Sequence, residues 1–374
     1  MIQIKDKSEC CGCTACQCIC PTSAIKMTAD TEGFLYPVVD EDKCVGCNMC
    51  NKVCPIISPV GEMVSSSSYS LNFAIQNKNE DILKKSSSGG VFTILAKHVI
   101  DQGGVVFGAE FNDKWEVVHN FARTMEEVER FRGSKYVQSK LGYTFNKVRA
   151  MLTAGTPVLF TGTPCQVAGL KSYLKKDYDK LITMDFICHG VPSPKAWHIY
   201  LNNIAKHKDI TDIQFRDKST GWKDYSFTMK TDGRTITEPH SSNIFMKAFL
   251  SNMFLRPSCY TCKFKSPATS SDVTVGDFWG LNILHPEFDD DKGCCAVMVH
   301  TDKAMEILKN ADSLKSMNVT FDEITKYNSS SITATSKPKH RDGIFKILLK
   351  TRHLPLTIHI IELKNFLNRF FTAL

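Results

Sequence analysis

No apolar stretch of the chain reaches the roughly 18 residues that a membrane-spanning helix requires, so no transmembrane segment is expected and any membrane contact would be peripheral. A basic, apolar, small-residue leader is also missing from the start, and the expected setting is cytoplasmic and reducing. Charge of one sign does not collect into long blocks: 46 Lys and Arg stand against 39 Asp and Glu, a net +7 spread along 374 residues. Nucleic-acid binding is therefore not implied, and the mild excess speaks weakly for acidic partners or phosphate-bearing ligands. Long internal repeats are absent, apart from one short duplicated run. Disorder does not dominate the composition, and the length leaves room for about two or three domains with ordinary cores.

What the chain has in quantity is cysteine, 16 residues. The first stretch reads Cys10-x2-Cys13-x2-Cys16-x3-Cys20-Pro21, and after a gap the pattern returns as Cys44-x2-Cys47-x2-Cys50-x3-Cys54-Pro55. This is the two-cluster ferredoxin run, in which three thiolates of one loop and the cysteine before the distant proline share a 4Fe-4S centre. Cys10, Cys13, Cys16 and Cys54 are assigned to one cluster, and Cys44, Cys47, Cys50 and Cys20 to the second. Zinc has no use for two tandem quartets, each closed by Cys-Pro, and disulfides would need an oxidising compartment. Cys11 and Cys18 stand at non-ligand spacing and are read as packing residues.

Residues 1–57 form the expected α+β ferredoxin-like module, with a hairpin made by Ala24 to Thr28 and Phe34 to Val39 around Asp30-Thr31-Glu32-Gly33. Residues 58–68, with Pro, Gly and a run of serines, read as a linker. From 69 to 342 apolar strand-like runs alternate with helical periods, which predicts an α/β domain with a mixed or largely parallel sheet. Strands are expected at Leu71 to Ile75, Val105 to Ala109, Pro157 to Phe160 and Leu181 to Phe186, with helices at Val91 to Ile100, Phe145 to Leu152 and Val167 to Leu174. Residues 343–374 read as an amphipathic tail, helical after Pro355, whose apolar face packs on its own domain.

Ser88, Gly89 and Gly90 stand before the first of those helices, where free N–H groups and close backbone approach could hold a phosphate; a simple helix cap explains them equally. Arg132-Gly133-Ser134-Lys135-Tyr136-Val137-Gln138-Ser139 gathers a cation, hydroxyls, an amide and a ring around an expected strand, whose bland reading is a solvated edge. A second sulfur constellation is dispersed. Cys165 and Cys188 follow two strands, at the ends that face the ligand crevice of open α/β sheets, and Cys259-x2-Cys262 lies further on. Four such thiols suit a third 4Fe-4S cluster, a zinc site or unconnected core cysteines, and spacing leaves the three open.

Thr161-Gly162-Thr163-Pro164-Cys165-Gln166, Cys188-His189-Gly190-Val191-Pro192-Ser193-Pro194, Arg256-Pro257-Ser258-Cys259-x2-Cys262 and Gly276-Asp277-Phe278-Trp279-Gly280 resemble motifs of the beta subunit family of coenzyme F420 hydrogenases and dehydrogenases. Ser88-Gly89-Gly90 and Ser134 to Ser139 match it too. The resemblance implies an iron-sulfur flavoprotein oxidoreductase. It implies a third cluster on Cys165, Cys188, Cys259 and Cys262, with FAD held by Ser88, Gly89, Gly90, Ser134, Lys135, Tyr136, Gln138, Ser139, Thr161, Gly162 and Thr163. Electrons would pass between the clusters, the flavin, and F420 or another organic substrate, with a ferredoxin-like or other redox protein as partner. Asp277 and Trp279 either abut the site or cap and pack, and His189 is read as a turn cap. Cys294 and Cys295 fall outside the motifs and are read as inert core thiols, and Asp289 to Asp291 as a solvated turn. A non-catalytic electron-transfer subunit of a larger complex is the alternative, and a zinc-scaffolded interaction protein the third reading.

Overall fold

A computed structural model describes residues 1–59, 71–205, 209–265 and 270–361. Most of the expected linker, and the tail residues Leu363, Phe366, Phe370 and Phe371, lie outside the described residues. Among the described residues no helix is long and apolar enough to cross a membrane.

The N-terminal module contains α1 (Ala15–Ile19), the hairpin strands β1 (Ile25–Ala29) and β2 (Leu35–Val39), and α2 (Met49–Lys52). Its two cysteine loops repeat one backbone path. Gly12 and Gly46 lie at φ 73° and 66°, and Thr14 and Asn48 at 64° and 58°, so each loop visits the left-handed region twice at matching positions. Glycine is free there; Thr and Asn accept the strain to turn successive groups toward one point.

The second unit follows as β3 (Leu71–Asn77), α3 (Val91–Asp101), β4 (Val105–Phe111), β5 (Val117–Ala122), α4 (Thr144–Thr153), β6 (Val158–Thr161), α5 (Pro164–Leu174) and β7 (Leu181–Phe186). Then come α6 (Pro194–Ala205), β8 (Ile210–Asp217), β9 (Ser226–Thr231), β10 (Arg234–Pro239), α7 (Ile244–Leu250), β11 (Val273–Asp277), β12 (Cys295–Val299), β13 (Leu314–Asn318) and α8 (Arg341–Thr351). Eight strands make one sheet in the order β13-β3-β12-β11-β7-β6-β4-β5, parallel from β11 to β4 and antiparallel toward both edges. Val158, Leu159 and Phe160 are all buried, as a central strand covered on both faces requires.

β8, β9 and β10 form a separate antiparallel sheet. Its core joins Trp197 and Tyr200 of α6 to Phe215, Phe227 and Phe245, with Leu354, Ile358 and Ile361 of the chain's last described helix packed on them. That helix begins at residue 354, and α8 stands before it, so among the described residues the tail contains two helices rather than one. Segment 132–139 is irregular chain, not the expected strand; its N–H groups and hydroxyls serve loops instead of a ladder.

The N-terminal module shares a core with the large domain. Cys11, Cys13, Ala15, Cys18, Ile19 and Val53 pack with Phe107, Phe145, Val148, Leu170 and Tyr173. Glu32, at the hairpin tip, takes Arg341 of α8 through both carboxylate oxygens, at 2.5 and 2.6 Å, and the Arg341 side chain is buried.

Candidate iron-sulfur and redox site

Three groups of thiols come together. A small cavity in the N-terminal module is lined by Cys20, Cys44, Cys47 and Cys50, the crossed set expected from the motif. In the other set burial first, and then the charges of Cys10 and Cys54, raise the Cys16 thiol, while Cys16 and Cys54 act in turn on Cys13. Cys50 adjoins Cys16 and Cys54, so the two sets are neighbours. The Ala24 N–H donates to Cys20 Sγ at 3.2 Å, a backbone-to-sulfur bond of the kind that offsets cluster charge.

The third group lies at the carboxyl ends of β6 and β7. These strands are parallel neighbours, so Cys165, opening α5, and Cys188, just past β7, emerge side by side. The turn Pro257–Thr261 brings Cys259 and Cys262 to the same place, and all four thiols line one cavity of about 310 Å³. Val191 N–H donates to Cys259 Sγ and Phe264 N–H to Cys262 Sγ, both at 3.4 Å. Lys265 Nζ donates to the Cys188 carbonyl at 2.5 Å and to Ser330 O at 2.7 Å, placing a cation on the cavity wall.

The hydrogen bond with Cys11, with burial behind it, pushes the Cys165 thiol well above the ordinary range; burial does the same to Cys188 and takes Cys259 up to about 12. Such thiols become thiolates only against a metal that replaces their lost hydration. Among the described residues no three His, Cys, Asp or Glu side chains converge on a single-ion site. The four thiols surround a volume rather than a point, and as an all-sulfur donor set beside two cations, Lys265 and Arg256, they fit a cluster.

Arg256 was not singled out by its motif beyond its place before Pro257. It is 1% exposed, and its guanidinium donates to Cys10 O at 2.7 Å, Leu35 O at 2.9 Å and Gln138 Oε1 at 2.9 Å, with Tyr36 beneath it. Gln138 Nε2 donates to Cys11 O at 3.1 Å. A side chain expected to face a flavin thus clamps the first cysteine loop.

The other expected flavin contacts are spread over neighbouring loops, and only Thr163 of the eleven lines the four-thiol cavity. The serine turn does meet segment 132–139: Ser134 donates to Ser87 Oγ through its N–H at 2.7 Å. Ser88 Oγ donates to Cys294 O at 2.6 Å. Gly89 packs on the sheet, where an added Cβ would lie 2.1 Å from Ile75 O and 2.6 Å from Cys295 N, so its close backbone approach is to the protein itself. Gly90 caps α3 at φ 84°. Lys135 Nζ donates to the carbonyls of Arg130, Arg132 and Gly133, and burial draws its ammonium down to about 7. Tyr136 stacks on Phe249, and Ser139 Oγ accepts from Gln166 Nε2 at 3.0 Å. Thr161 Oγ1 donates to Phe107 O, Gly162 lies against Gln166 and Phe160, and Thr163 forms a capping box with Gln166 at the start of α5.

A polar cluster around Arg216 carries no motif in the sequence. Arg216, nearly fully buried, donates to Asp277 Oδ2 at 2.7 Å and to Ser87 O at 3.3 Å, lies over the Tyr225 ring at 3.9 Å and near Trp279, and its Nε has no partner among the described residues. Trp279 stacks flat on Trp222. A cation beside a serine turn and flat rings is chemistry that a phosphate-bearing aromatic ligand can use, whereas Gly89 is packed on the sheet and Lys135 is bonded to three carbonyls. His189 Nε2 bonds Asn252 Oδ1 at 2.6 Å and lines the cavity wall. Cys294 and Cys295 are buried, and Cys295 Sγ accepts from Gly89 N–H. Asp289 and Asp291 pair with Lys223.

Residues 72–144 match the N-terminal part, and residues 155–326 the C-terminal part, of the coenzyme F420 hydrogenase/dehydrogenase beta subunit. Residues 37–56 match a 4Fe-4S binding domain. No curated protein matches the chain. Among solved structures, a chain of the xenon-derivatised F420-reducing [NiFe] hydrogenase complex from Methanosarcina barkeri is similar at 19% identity and a TM-score of 0.50, over 71% of this chain and 89% of that one. At that identity the likeness concerns the fold.

Proposed function

Because the chain belongs to the coenzyme F420 hydrogenase/dehydrogenase beta subunit family, we propose that it is an iron-sulfur flavoprotein oxidoreductase with three 4Fe-4S centres and one FAD. The observation that carries the reading is the cavity that gathers Cys165, Cys188, Cys259 and Cys262 from three separate segments, directly against the first ferredoxin loop. A flavin supplies the exchange between electron pairs and single electrons that joins an organic substrate to one-electron centres.

The chain's own residues would do the placing. Cys47 and Val45 of the second loop are exposed, which suits the meeting point with a ferredoxin-like or other redox protein. Cys13, Cys16 and Cys54 of the first set are buried, and the four-thiol cavity adjoins that loop at the carboxyl ends of β6 and β7. Arg216, with Ser87, Ser88 and Ser134 around it, would take the FAD diphosphate, and Thr161, Gly162 and Thr163 would border the flavin on the side of Cys165. Gly89, Gly90, Lys135, Tyr136, Gln138 and Ser139 would shape that wall. The organic substrate is F420 or another small molecule that exchanges a hydride.

The alternative is a non-catalytic electron-transfer subunit, and one observation favours it: Ser88, Lys135, Gln138 and Thr161, four of the eight side chains expected at the flavin, are already spent on the protein's own backbone. The two readings separate in one measurement. Anaerobically reconstituted protein should release about one FAD per roughly twelve irons, three clusters of four. A full iron complement without flavin would favour the electron carrier.

A further inference from the structure

The wall of the four-thiol cavity also carries a carboxylate. Asp185, fully buried near the end of β7, lines that cavity, and so does Thr274, its partner in the parallel pairing of β7 with β11. Thr274 Oγ1 donates to Asp185 Oδ1 at 2.5 Å, and the same hydroxyl meets His300 Nε2 at 3.0 Å and Ser271 Oγ at 3.3 Å. A hydroxyl has one proton to give, so Thr274, having spent it on Asp185, accepts from His300 Nε2–H. His300 stands just past β12 and is partly exposed, which completes a hydrogen-bonded line of three side chains from the cavity wall toward the surface. Burial holds the His300 ring down at about 4, so near pH 7 it is neutral, with one nitrogen that gives a proton and one that takes it. Asp272, two residues before Thr274, is bound differently. It accepts from the N–H and Oγ1 of Thr183, both at 2.7 Å, and from Thr301 Oγ1 at 3.1 Å, and it pairs with Lys303 Nζ at 3.0 Å, which fastens it as a structural anion.

We propose that Asp185, Thr274 and His300 form a proton relay that connects the four-thiol cavity to solvent. The inference rests on the flavoprotein reading above. An organic substrate that gives up a hydride and a proton loses two electrons and two protons in all. The electrons leave one at a time through the iron-sulfur centres, and the two protons need a route of their own. Each passage along the line moves one proton. Asp185 takes it on its carboxylate and passes it to Thr274 Oγ1 as Thr274 hands its own to His300 Nε2, and the imidazole releases the proton on Nδ1 to water. One O–H or N–H bond forms for each that breaks, and a turn of the partly exposed ring resets the line. Reduction of the protein by an outside donor runs the relay inward. The charged groups around it are Asp272, Lys303 and Lys171 at the His300 end, and Glu9, His189, Arg256, Lys263 and Lys265 on the cavity wall.

The test uses the full-length, anaerobically reconstituted protein and its Thr274→Val, Thr274→Ser and His300→Ala variants, with iron and FAD counted in each. Reduced methyl viologen supplies electrons without protons, and a pH-indicator dye in weakly buffered solution reads the protons that the protein takes up on reduction. Thr274→Val keeps the shape and removes the hydroxyl; uptake should slow by roughly a hundredfold, the low end of what a positioned proton-transfer group contributes, with iron and FAD matching the parent. Thr274→Ser, which keeps the hydroxyl, should restore most of the rate. His300→Ala should slow uptake likewise and recover on addition of imidazole, and because that side chain is partly exposed this arm stands even where Thr274→Val folds poorly. Parent-like uptake in a fully loaded Thr274→Val or His300→Ala protein would overturn the proposal, and so would slow uptake in His300→Ala that imidazole leaves unchanged. A parent protein that holds FAD and takes up no proton on reduction would sink the relay and leave the flavoprotein reading standing; a parent without FAD would end that reading, and the relay with it.

Discussion

A methyl group at position 169 probes how the N-terminal module sits on the large domain. In an exposed helix Gly→Ala gains about 0.5–1 kcal/mol, because alanine loses less backbone freedom. On α5 the new Cβ would lie 2.6 Å from Cys13 Cβ and 2.8 Å from Cys13 Sγ, far inside contact distance. Overpacking of this kind costs about 1–3 kcal/mol, so Gly169→Ala should be net destabilising by about 1–2 kcal/mol, the opposite sign to an exposed site. Because the displaced atom is a candidate cluster ligand, the signal of the first-loop centre should broaden or disappear while the outer centre on Cys44, Cys47 and Cys50 stays. Thermal unfolding followed by circular dichroism, with iron counting and EPR on the same samples, reads both effects. A Gly169→Ala protein that melts higher than the parent with all its iron would refute the packing of Cys13 against α5.

Three further outcomes follow from other contacts. Arg341→Met should leave the Glu32 carboxylate unpaired at a largely buried position, costing about 3–5 kcal/mol, and limited proteolysis should then cut the hairpin region faster; unchanged proteolysis would count against the clamp. Burial lowers His119 from its ordinary 6.5 to about 4, so between those values the unfolded chain binds the proton that the folded chain refuses, and stability falls as pH drops through that window. His119→Gln should flatten the urea-midpoint profile there, by up to about 3 kcal/mol, and a profile identical to the parent's would exclude His119 as the source. Arg216→Met should lower retained FAD by at least about tenfold in affinity, the loss of a charge-assisted bond, with iron unchanged; full flavin in that variant would move the flavin elsewhere.

Much of the architecture could be read from local patterns. Apolar runs such as Val158 to Phe160 and periods such as Val91 to Ile100 carry their own burial signal, and the structure places strands and helices there. The spacing within each cysteine run is equally local, since two-residue intervals leave a loop few ways to present its sulfurs, whereas the crossing of Cys20 and Cys54 depends on how the two loops pack. The four-thiol cavity was half legible: the strand-end positions of Cys165 and Cys188 pointed to one crevice, but the arrival of Cys259 and Cys262 depends on a turn whose place is set by long-range packing. Segment 132–139 misled because its aromatic and β-branched residues resemble a strand, whereas its partners are loops. Arg216 and Arg256 carried no motif of their own, and their roles come from where β8 and the Pro257 turn happen to pass.

If Cys165, Cys188, Cys259 and Cys262 hold a third cluster, the iron content of the protein reports it. Protein purified and reconstituted without oxygen should contain about twelve irons per chain, and the triple change of Cys165, Cys188 and Cys259 to Ser should lower that by about a third while the ferredoxin pair stays intact. Iron unchanged by the triple substitution, or zinc in place of iron in the unmodified protein, would mean that these four thiols hold no such cluster.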